Sequence, residues 1–183
     1  MNPKIDADGT KRWYNAEGEF HREDGPAVES ADGNNYWFLN GGLHRVDGPA
    51  IAYANGTKCW YIDDKRHRDD GPAIEEMDGT KRWYIDDKLH RDDGPAIELT
   101  DGNTYWYRDD KLHREDGAAM ECKDGTKRWY LNGVRHRTDG PAAEYADGTK
   151  RWFLYGQAQT LTHEDPRWHI LEAKIRKLNE SKN

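Results

Sequence analysis

The chain has 183 residues, of which 34% are hydrophobic and 34% are charged, and its formal charge is -7 at pH 7. A compact domain of this length usually has a larger apolar fraction, so burial must rest on a few large side chains, chiefly the 8 Trp and 10 Tyr. The acidic balance argues against direct binding of nucleic acid or of anionic membranes, because both need a positive field.

Tandem repeats of 23 residues occupy most of the chain, after a first unit that is one residue longer. Every unit opens with Asp-Gly or Asn-Gly, at Asp8, Asp32, Asn55, Asp78, Asp101, Asp124 and Asp147. A fixed period of this size predicts a repeat architecture. We expect a lead-in over 1–7, a seven-unit β-repeat array over 8–159 whose last unit is degenerate, and a linker with a C-terminal amphipathic helix over 160–183.

Each unit contains the sequence signals of two strands and two turns. The first strand reads Lys-Arg-Trp-Tyr in its fullest form, at 81–84 for example, with aromatic residues that favour strands. Tight turns follow it: Ala16-Glu17-Gly18 in the first unit, Asn40-Gly41 and Asn132-Gly133 in two others, and Asp-Asp-Lys at 63–65, 86–88 and 109–111. The second strand begins with Leu-His-Arg or a variant, is interrupted by Asp-Gly-Pro-Ala, and then resumes. The prediction is an all-β fold of tandem β-hairpin repeats that form an elongated antiparallel meander of about fourteen strands.

Two rows of aromatic residues follow from this pattern, because neighbouring strand residues point to opposite faces. We expect the Trp row to be buried: Trp13, Trp37, Trp60, Trp83, Trp106, Trp129 and Trp152. The second row is expected to be more exposed and available to a partner: Tyr14, Phe38, Tyr61, Tyr84, Tyr107, Tyr130 and Phe153.

A C-terminal α-helix is predicted after the degenerate seventh unit. Asp165 is a suitable N-cap and Pro166 suits the first turn of a helix. An apolar stripe steps along the helix at Trp168, Leu171, Ile175 and Leu178. The stripe has two interpretations that do not exclude each other. It either caps the open end of the sheet or pairs with a second copy in a homodimer.

The motif His-Arg-x-Asp-Gly-Pro-Ala recurs in six units and contains the residues with the most chemical potential, for example His90, Arg91 and Asp93. Its repetition favours a polar clasp, in which Asp accepts backbone N–H groups of its own turn and Arg pairs with an Asp. A zinc site is not expected, because one imidazole and one carboxylate per unit cannot supply four close ligands. We also find no nucleophile with a matched base, so the sequence predicts neither catalysis nor a metal or cofactor.

The 23-residue unit, with Trp-Tyr, a hairpin turn and a Gly-bearing second strand, resembles MORN repeats and the related YwqK-like antitoxin repeats over residues 8 to about 159. The motif His-Arg-x-Asp-Gly-Pro-Ala resembles a distinct subtype found in bacteria and phages. The resemblance implies a β-meander with scaffolding or binding duties.

The prediction for function is a non-catalytic protein-binding module of the bacterial or phage-infected cytoplasm. A narrower hypothesis is a phage-type inhibitor that occupies a basic groove on a host nucleic-acid-handling or defence enzyme. Alternatives are a binder of nucleotides or other anionic small ligands, and a purely structural scaffold. The candidate binding surface consists of Tyr61, Tyr84, Tyr107, Tyr130, Arg68, Arg91 and Arg114, since exposed Tyr and Arg are frequent anchors of protein interfaces.

No segment of about 18 consecutive apolar residues is present, so no membrane contact is expected. Cys59 and Cys122 occupy non-equivalent positions in different units, which is typical of unpaired thiols in a reducing compartment.

Overall fold

The computed structural model describes residues 2–180 and divides into two compact units, with the boundary between Leu89 and His90. Short strands make up most of the regular structure in both units. The first unit contains β1 (Lys4–Ile5), β2 (Lys11–Arg12), β3 (Val28–Glu29), β4 (Asn35–Tyr36), β5 (Phe38–Leu39), β6 (Gly42–Leu43), β7 (Ile51–Ala52), β8 (Lys58–Cys59), β9 (Tyr61–Ile62), β10 (Lys65–Arg66), β11 (Ile74–Glu75), β12 (Lys81–Arg82), β13 (Tyr84–Ile85) and β14 (Lys88–Leu89).

The second unit continues the same pattern and ends in a helix. It contains β15 (Ile97–Glu98), β16 (Thr104–Tyr105), β17 (Tyr107–Arg108), β18 (Lys111–Leu112), β19 (Met120–Glu121), β20 (Lys127–Arg128), β21 (Tyr130–Leu131), β22 (Val134–Arg135), β23 (Ala143–Glu144), β24 (Lys150–Leu154), β25 (Gln157–Gln159) and α1 (Trp168–Glu180).

Strand order in each unit is that of an antiparallel meander with a row of small hairpins. In the first unit the meander runs β1-β2-β3-β4-β7-β8-β11-β12, and in the second it runs β15-β16-β19-β20-β23-β24-β25. The hairpins β5–β6, β9–β10, β13–β14, β17–β18 and β21–β22 are separate two-stranded sheets. The predicted fold class, all-β hairpin repeats in an antiparallel meander with one C-terminal helix, is confirmed.

The Trp of a repeat forms a corner at Trp13, Trp37, Trp60, Trp106 and Trp129. The Trp60 N–H donates to the carbonyl of Ala73 at 2.8 Å, on the meander side, and the Trp60 carbonyl accepts the His67 N–H at 3.2 Å, on the hairpin side. The predicted continuous strand Lys-Arg-Trp-Tyr is therefore wrong for the first six repeats, where it breaks at the Trp. In five of them the residue after Trp belongs to a separate hairpin sheet, and in the first Tyr14 forms an isolated bridge with Phe20. Only the seventh repeat keeps one continuous strand, β24.

Hairpin turns contain two residues with positive φ, the geometry of a type I′ turn. Asp63 and Asp64 have φ of 48° and 64°, and Asn132 and Gly133 have φ of 51° and 84°. Lys65 pairs with Ile62 across the hairpin. The predicted three-residue turn Asp-Asp-Lys is therefore shorter by one residue, because Lys already belongs to the second strand.

Alanine, and not an aromatic residue, forms the fully buried row of the array. The Ala of each Asp-Gly-Pro-Ala, or of Gly-Ala-Ala in the fifth motif, has no exposed surface: Ala27, Ala50, Ala73, Ala96, Ala119 and Ala142. Among the Trp residues of the repeats only Trp13 is buried, and the other six are half-buried. The expectation of a more exposed second row is wrong at Tyr84, which is 8% exposed. The first row contains the corner residues and the second row follows it directly in sequence. Both rows are therefore partly covered by neighbouring residues.

The helix α1 packs on the last repeat. Trp168 and Ile175 form a buried cluster with Leu154, and Leu171 packs against it. The Trp168 indole N–H also donates to the Thr138 carbonyl at 2.6 Å. Three residues of the predicted stripe thus pack on the last repeat, whereas Leu178 is 51% exposed; the capping role stays a prediction.

Asp165 stands just before this helix, where its backbone carbonyl accepts the Trp168 N–H at 2.8 Å. A hydrogen bond from the Arg167 side chain is the main cause that lowers the pKa of Asp165 to about 2. Within residues 2–180, no helix combines the length and apolar character needed to cross a bilayer.

Candidate functional site

The repeated motif builds an arginine clasp. In the third repeat the Arg68 Nε donates to Asp70 Oδ1 at 2.8 Å, and its Nη1 donates to the Pro72 carbonyl at 3.2 Å and to Glu75 Oε1 at 3.0 Å. Its guanidinium carbon lies 4.1 Å from the centre of the Trp60 ring. One side chain therefore ties the crossing segment to the meander and covers the corner Trp.

The glycine of the motif makes this stacking possible. A Cβ on Gly71 would lie 2.9 Å from the Arg68 guanidinium carbon. Gly71 does not have a positive φ, so its role is to leave space for the guanidinium. The Arg–Asp bond recurs in every motif, at Arg22, Arg45, Arg91, Arg114 and Arg137.

The clasp lowers the pKa of its carboxyl groups, first through the hydrogen bond from Arg and then through its charge, as at Asp70 and Asp93. The predicted pairing of Arg with Asp is thus present. The predicted acceptance of backbone N–H groups belongs to a different residue, the Asp that opens the repeat. Asp78 Oδ1 accepts the Thr80 N–H at 2.8 Å.

Histidine links each motif to the next repeat. The Asn40 N–H donates to His21 Nδ1 at 3.1 Å, and the Tyr155 N–H donates to His136 Nδ1 at 3.2 Å. The rings of His136 and Tyr155 also contact each other, with centres 4.1 Å apart and planes tilted by 39°. Burial lowers the pKa of His136 despite the opposing effect of Glu172. At His21 and His136 the imidazole Nδ1 therefore accepts a backbone N–H of the next repeat.

The predicted binding residues lie in this scaffold. Arg68, Arg91 and Arg114 are half-buried clasp residues whose Nη1 groups already donate to carboxylates of the meander. Arg66 stacks on the Tyr84 ring at 4.1 Å, so Tyr84 offers little surface to a partner. Tyr61, Tyr107 and Tyr130 are half-buried, and their backbone carbonyls accept N–H groups from the preceding motif.

An exposed acidic ridge accompanies the clasps of each unit. The first ridge comprises Glu23, Asp24, Asp47, Asp69 and Asp70, whose side chains are 83–88% exposed. The second ridge comprises Asp92, Asp93, Glu115, Asp116 and Asp139, with exposures of 73–86%. The residue between Arg and Asp of the motif was not among the binding residues predicted from the sequence. Its acidic character in four of six motifs, at Glu23, Asp69, Asp92 and Glu115, could have indicated it.

Clefts lie between successive clasps. One of about 590 Å³ has Trp37 and Leu39 among its lining residues and Glu23, Asp24 and Asp47 among its acidic ones. The next, of about 550 Å³, repeats the arrangement with Trp60, Ile62, Asp47, Asp69 and Asp70. Two further clefts follow the same plan around Trp106 and Trp129 in the second unit. Each cleft thus combines an aromatic surface with carboxylates.

Possible metal ligands and the two thiols are the remaining reactive groups of residues 2–180. Over this range no group of three or more His, Cys, Asp or Glu side chains is arranged to hold a metal ion. Cys59 and Cys122 are free, and burial is the main cause that raises the pKa of both thiols. A raised pKa leaves less of the nucleophilic thiolate at neutral pH.

Searches for known protein families and for curated relatives find no match to the chain. The resemblance to MORN and YwqK-like repeats therefore stays a prediction that rests on the motifs.

Proposed function

We propose that the protein is a non-catalytic protein-binding module whose acidic ridges dock on a basic surface of a partner. The observation that carries this proposal is the regular exposure of ridge carboxylates next to half-buried arginines. In each motif the Arg is held inside the clasp, whereas its Asp partner stays in solvent. The surface offered to a partner is therefore much more acidic than the composition of the motif suggests.

The clasp also orients the ridge. Asp70 receives Arg68 Nε on one oxygen, at 2.8 Å, while its side chain is 83% exposed. Its other oxygen is therefore available to a partner without loss of the clasp. A carboxylate that is already held in place loses less conformational entropy on binding than a free one does.

A basic nucleic-acid-binding groove is the partner surface that fits this arrangement best. Successive motifs are two meander strands apart, so equivalent carboxylates recur about every 10 Å. A groove that binds the phosphate backbone presents rows of Lys and Arg, to which such a series of negative charges is complementary. The proposal therefore extends to an inhibitor of a nucleic-acid-handling or defence enzyme, of the kind that phages direct at their hosts.

The alternative of an anionic small-ligand binder has less support. The Arg68, Arg91 and Arg114 guanidinium groups already donate to carboxylates and to backbone carbonyls. A phosphate that took the Nε or Nη1 donors would have to displace these bonds, and it would meet the ridge carboxylates.

An affinity experiment tests the proposal against that alternative and against a purely structural scaffold. The wild type, a ridge variant E23Q/D69N/E115Q and a charge-matched control E17Q/E164Q/E180Q are immobilised and exposed to bacterial lysate at low salt. We expect nucleic-acid-binding proteins on the wild type and the control, their release by excess double-stranded DNA, and their loss from the ridge variant. Equal recovery on all three proteins, or recovery of none, would contradict the proposal.

A further inference from the structure

We propose that the two clefts of the first unit bind consecutive basic side chains of a partner segment in the polyproline II conformation, with Val46 between them. This inference rests on the proposed function and assigns it a peptide ligand. Both clefts belong to the same unit and share the residues Arg45, Val46 and Asp47. They are therefore adjacent sites with a common wall.

The balance of charged side chains that line each cleft favours one cationic side chain of the ligand in each. The first cleft is lined by three carboxylates, Glu23, Asp24 and Asp47, and by the guanidinium groups of Arg22 and Arg45. In the clasps, Arg22 pairs with Asp24 and Arg45 with Asp47, which leaves Glu23 as the surplus negative charge.

The second cleft has the same balance. Its carboxylates are Asp47, Asp69 and Asp70, and its guanidinium groups are those of Arg45 and Arg68. Because Arg68 pairs with Asp70, the carboxylate without a guanidinium partner here is Asp69, whose Oδ1 lies 3.1 Å from Nε2 of His67 in the same cleft. A single Lys or Arg side chain per cleft therefore restores neutrality.

The apolar surfaces suit the remainder of such a ligand. Trp37 with Leu39 in one cleft, and Trp60 with Ile62 in the other, can contact the methylene stem of a Lys or Arg. Val46 is 82% exposed on the shared wall and replaces the acidic residue found at this position in most other motifs. An uncharged wall between two acidic clefts fits an apolar residue placed between two basic ones.

The distance between the two clefts favours one backbone conformation of the peptide ligand. Trp37 and Trp60 follow β4 and β8, which are separated by the single strand β7, so the clefts lie about 9.6 Å apart at the usual strand separation. A polyproline II helix has three residues per turn and returns to the same side after about 9.3 Å. Aromatic-lined grooves are also the usual receptors for this conformation. A β-strand places same-side residues only about 6.7 Å apart.

Fluorescence anisotropy at low salt tests the inference on the full chain. The probes are labelled peptides with equal numbers of Arg: one of Arg-Pro-Pro triplets, one of Arg-Pro doublets, and one helical peptide with Arg at every seventh residue. We expect the triplet peptide to bind at least about tenfold more tightly than the other two. The variant E23Q/D69N should lose about tenfold in affinity for it, the control E17Q/E164Q should lose little, and Val46→Ser should lose about fivefold.

Each other outcome overturns a defined part of the account. Equal affinity for triplet and doublet peptides, still reduced by E23Q/D69N, would overturn the polyproline II register and leave the acidic-ridge proposal intact. Preference for the helical peptide would replace the extended ligand with a helix. If none of the peptides bound at low salt, both the inference and the proposed function would be overturned.

Discussion

Substituting Gly71 by Ala tests whether the motif glycine exists to make room for the clasp. The new Cβ would lie 2.9 Å from the guanidinium carbon of Arg68, so the guanidinium must move off the Trp60 ring. The interactions at risk are two hydrogen bonds, to Pro72 and Glu75, and the stacking on Trp60. At about 0.5–1.5 kcal/mol for each hydrogen bond and 0.5–2 kcal/mol for the stacking, Arg68→Ala should cost roughly 1.5–5 kcal/mol. The hydrogen bond to the exposed Asp70 is given no share of this free energy.

A double-mutant cycle separates this explanation from ordinary backbone effects. Gly71→Ala should cost about 1–3 kcal/mol in the wild type, because part of the clasp is lost. In the Arg68→Ala background the same change should be neutral or stabilising by up to about 1 kcal/mol, because Ala restricts the unfolded chain. Urea unfolding followed by circular dichroism measures all four free energies.

A second glycine supplies the control. Gly56 has a φ of +94°, and no heavy atom lies within 4 Å of the position that an added methyl group would take. Gly56→Ala should therefore cost about 1 kcal/mol through backbone strain alone. That cost should be the same with and without Arg68. If Gly71→Ala is equally costly in both backgrounds, the glycine does not serve the clasp and the reasoning is refuted.

Three further predictions concern the core, the helix and pH. Ala73→Leu should destabilise by about 1–3 kcal/mol through overpacking, whereas Ala54→Leu at an exposed position should change the unfolding free energy little. Trp168→Ala should cost about 3–5 kcal/mol against less than about 0.5 kcal/mol for the exposed Ile170→Ala, and similar losses would refute the capping role. Because the folded-state pKa of His136 is lowered, its contribution is complete above the unfolded pKa of about 6.5 and falls as the pH drops below it. Urea midpoints at about pH 7.5 and 5.5 should thus differ less in His136→Gln than in the wild type, and an equal difference would contradict this role.

The sequence predicts much of the fold because period and turn chemistry are local. The opening Asp-Gly, the hairpin turn and the Asp165-Pro166 signal before the helix are each readable from neighbouring residues. The division of the repeat between meander and hairpin was not predicted. It depends on the hydrogen bonds of Trp60 to Ala73 and His67, and these partners cannot be identified from residues next to Trp60 in the sequence. Without that division, the pattern favours the Trp row as the core and gives no weight to the small Ala that fits beside the corner.

The site was harder to predict than the fold. A clasp was expected from the repetition of the motif, and it is present. Which of its charges faces solvent depends on how Arg68 lies over Trp60, and this cannot be read from spacing. The burial of Tyr84 could not be predicted for the same reason, because the side chain that covers it, Arg66, belongs to the preceding repeat.

Association through α1 remains a prediction beside its capping contacts. Trp168 and Ile175 are committed to the last repeat, so a second copy would have to use other residues of the helix. Analytical ultracentrifugation of the wild type and of a chain that ends at Glu164 measures whether the helix changes the oligomeric state. A monomer in both cases would remove the homodimer from the account.

Affinity for a partner recovered from the lysate should depend directly on the ridge carboxylates. Its dissociation constant is determined over a series of salt concentrations for the wild type, E23Q/D69N/E115Q and E17Q/E164Q/E180Q. We expect the ridge variant to bind at least about tenfold more weakly at low salt and with a shallower salt dependence, while the control matches the wild type. Equal affinity and equal salt dependence of all three proteins would show that the ridges do not carry the interaction.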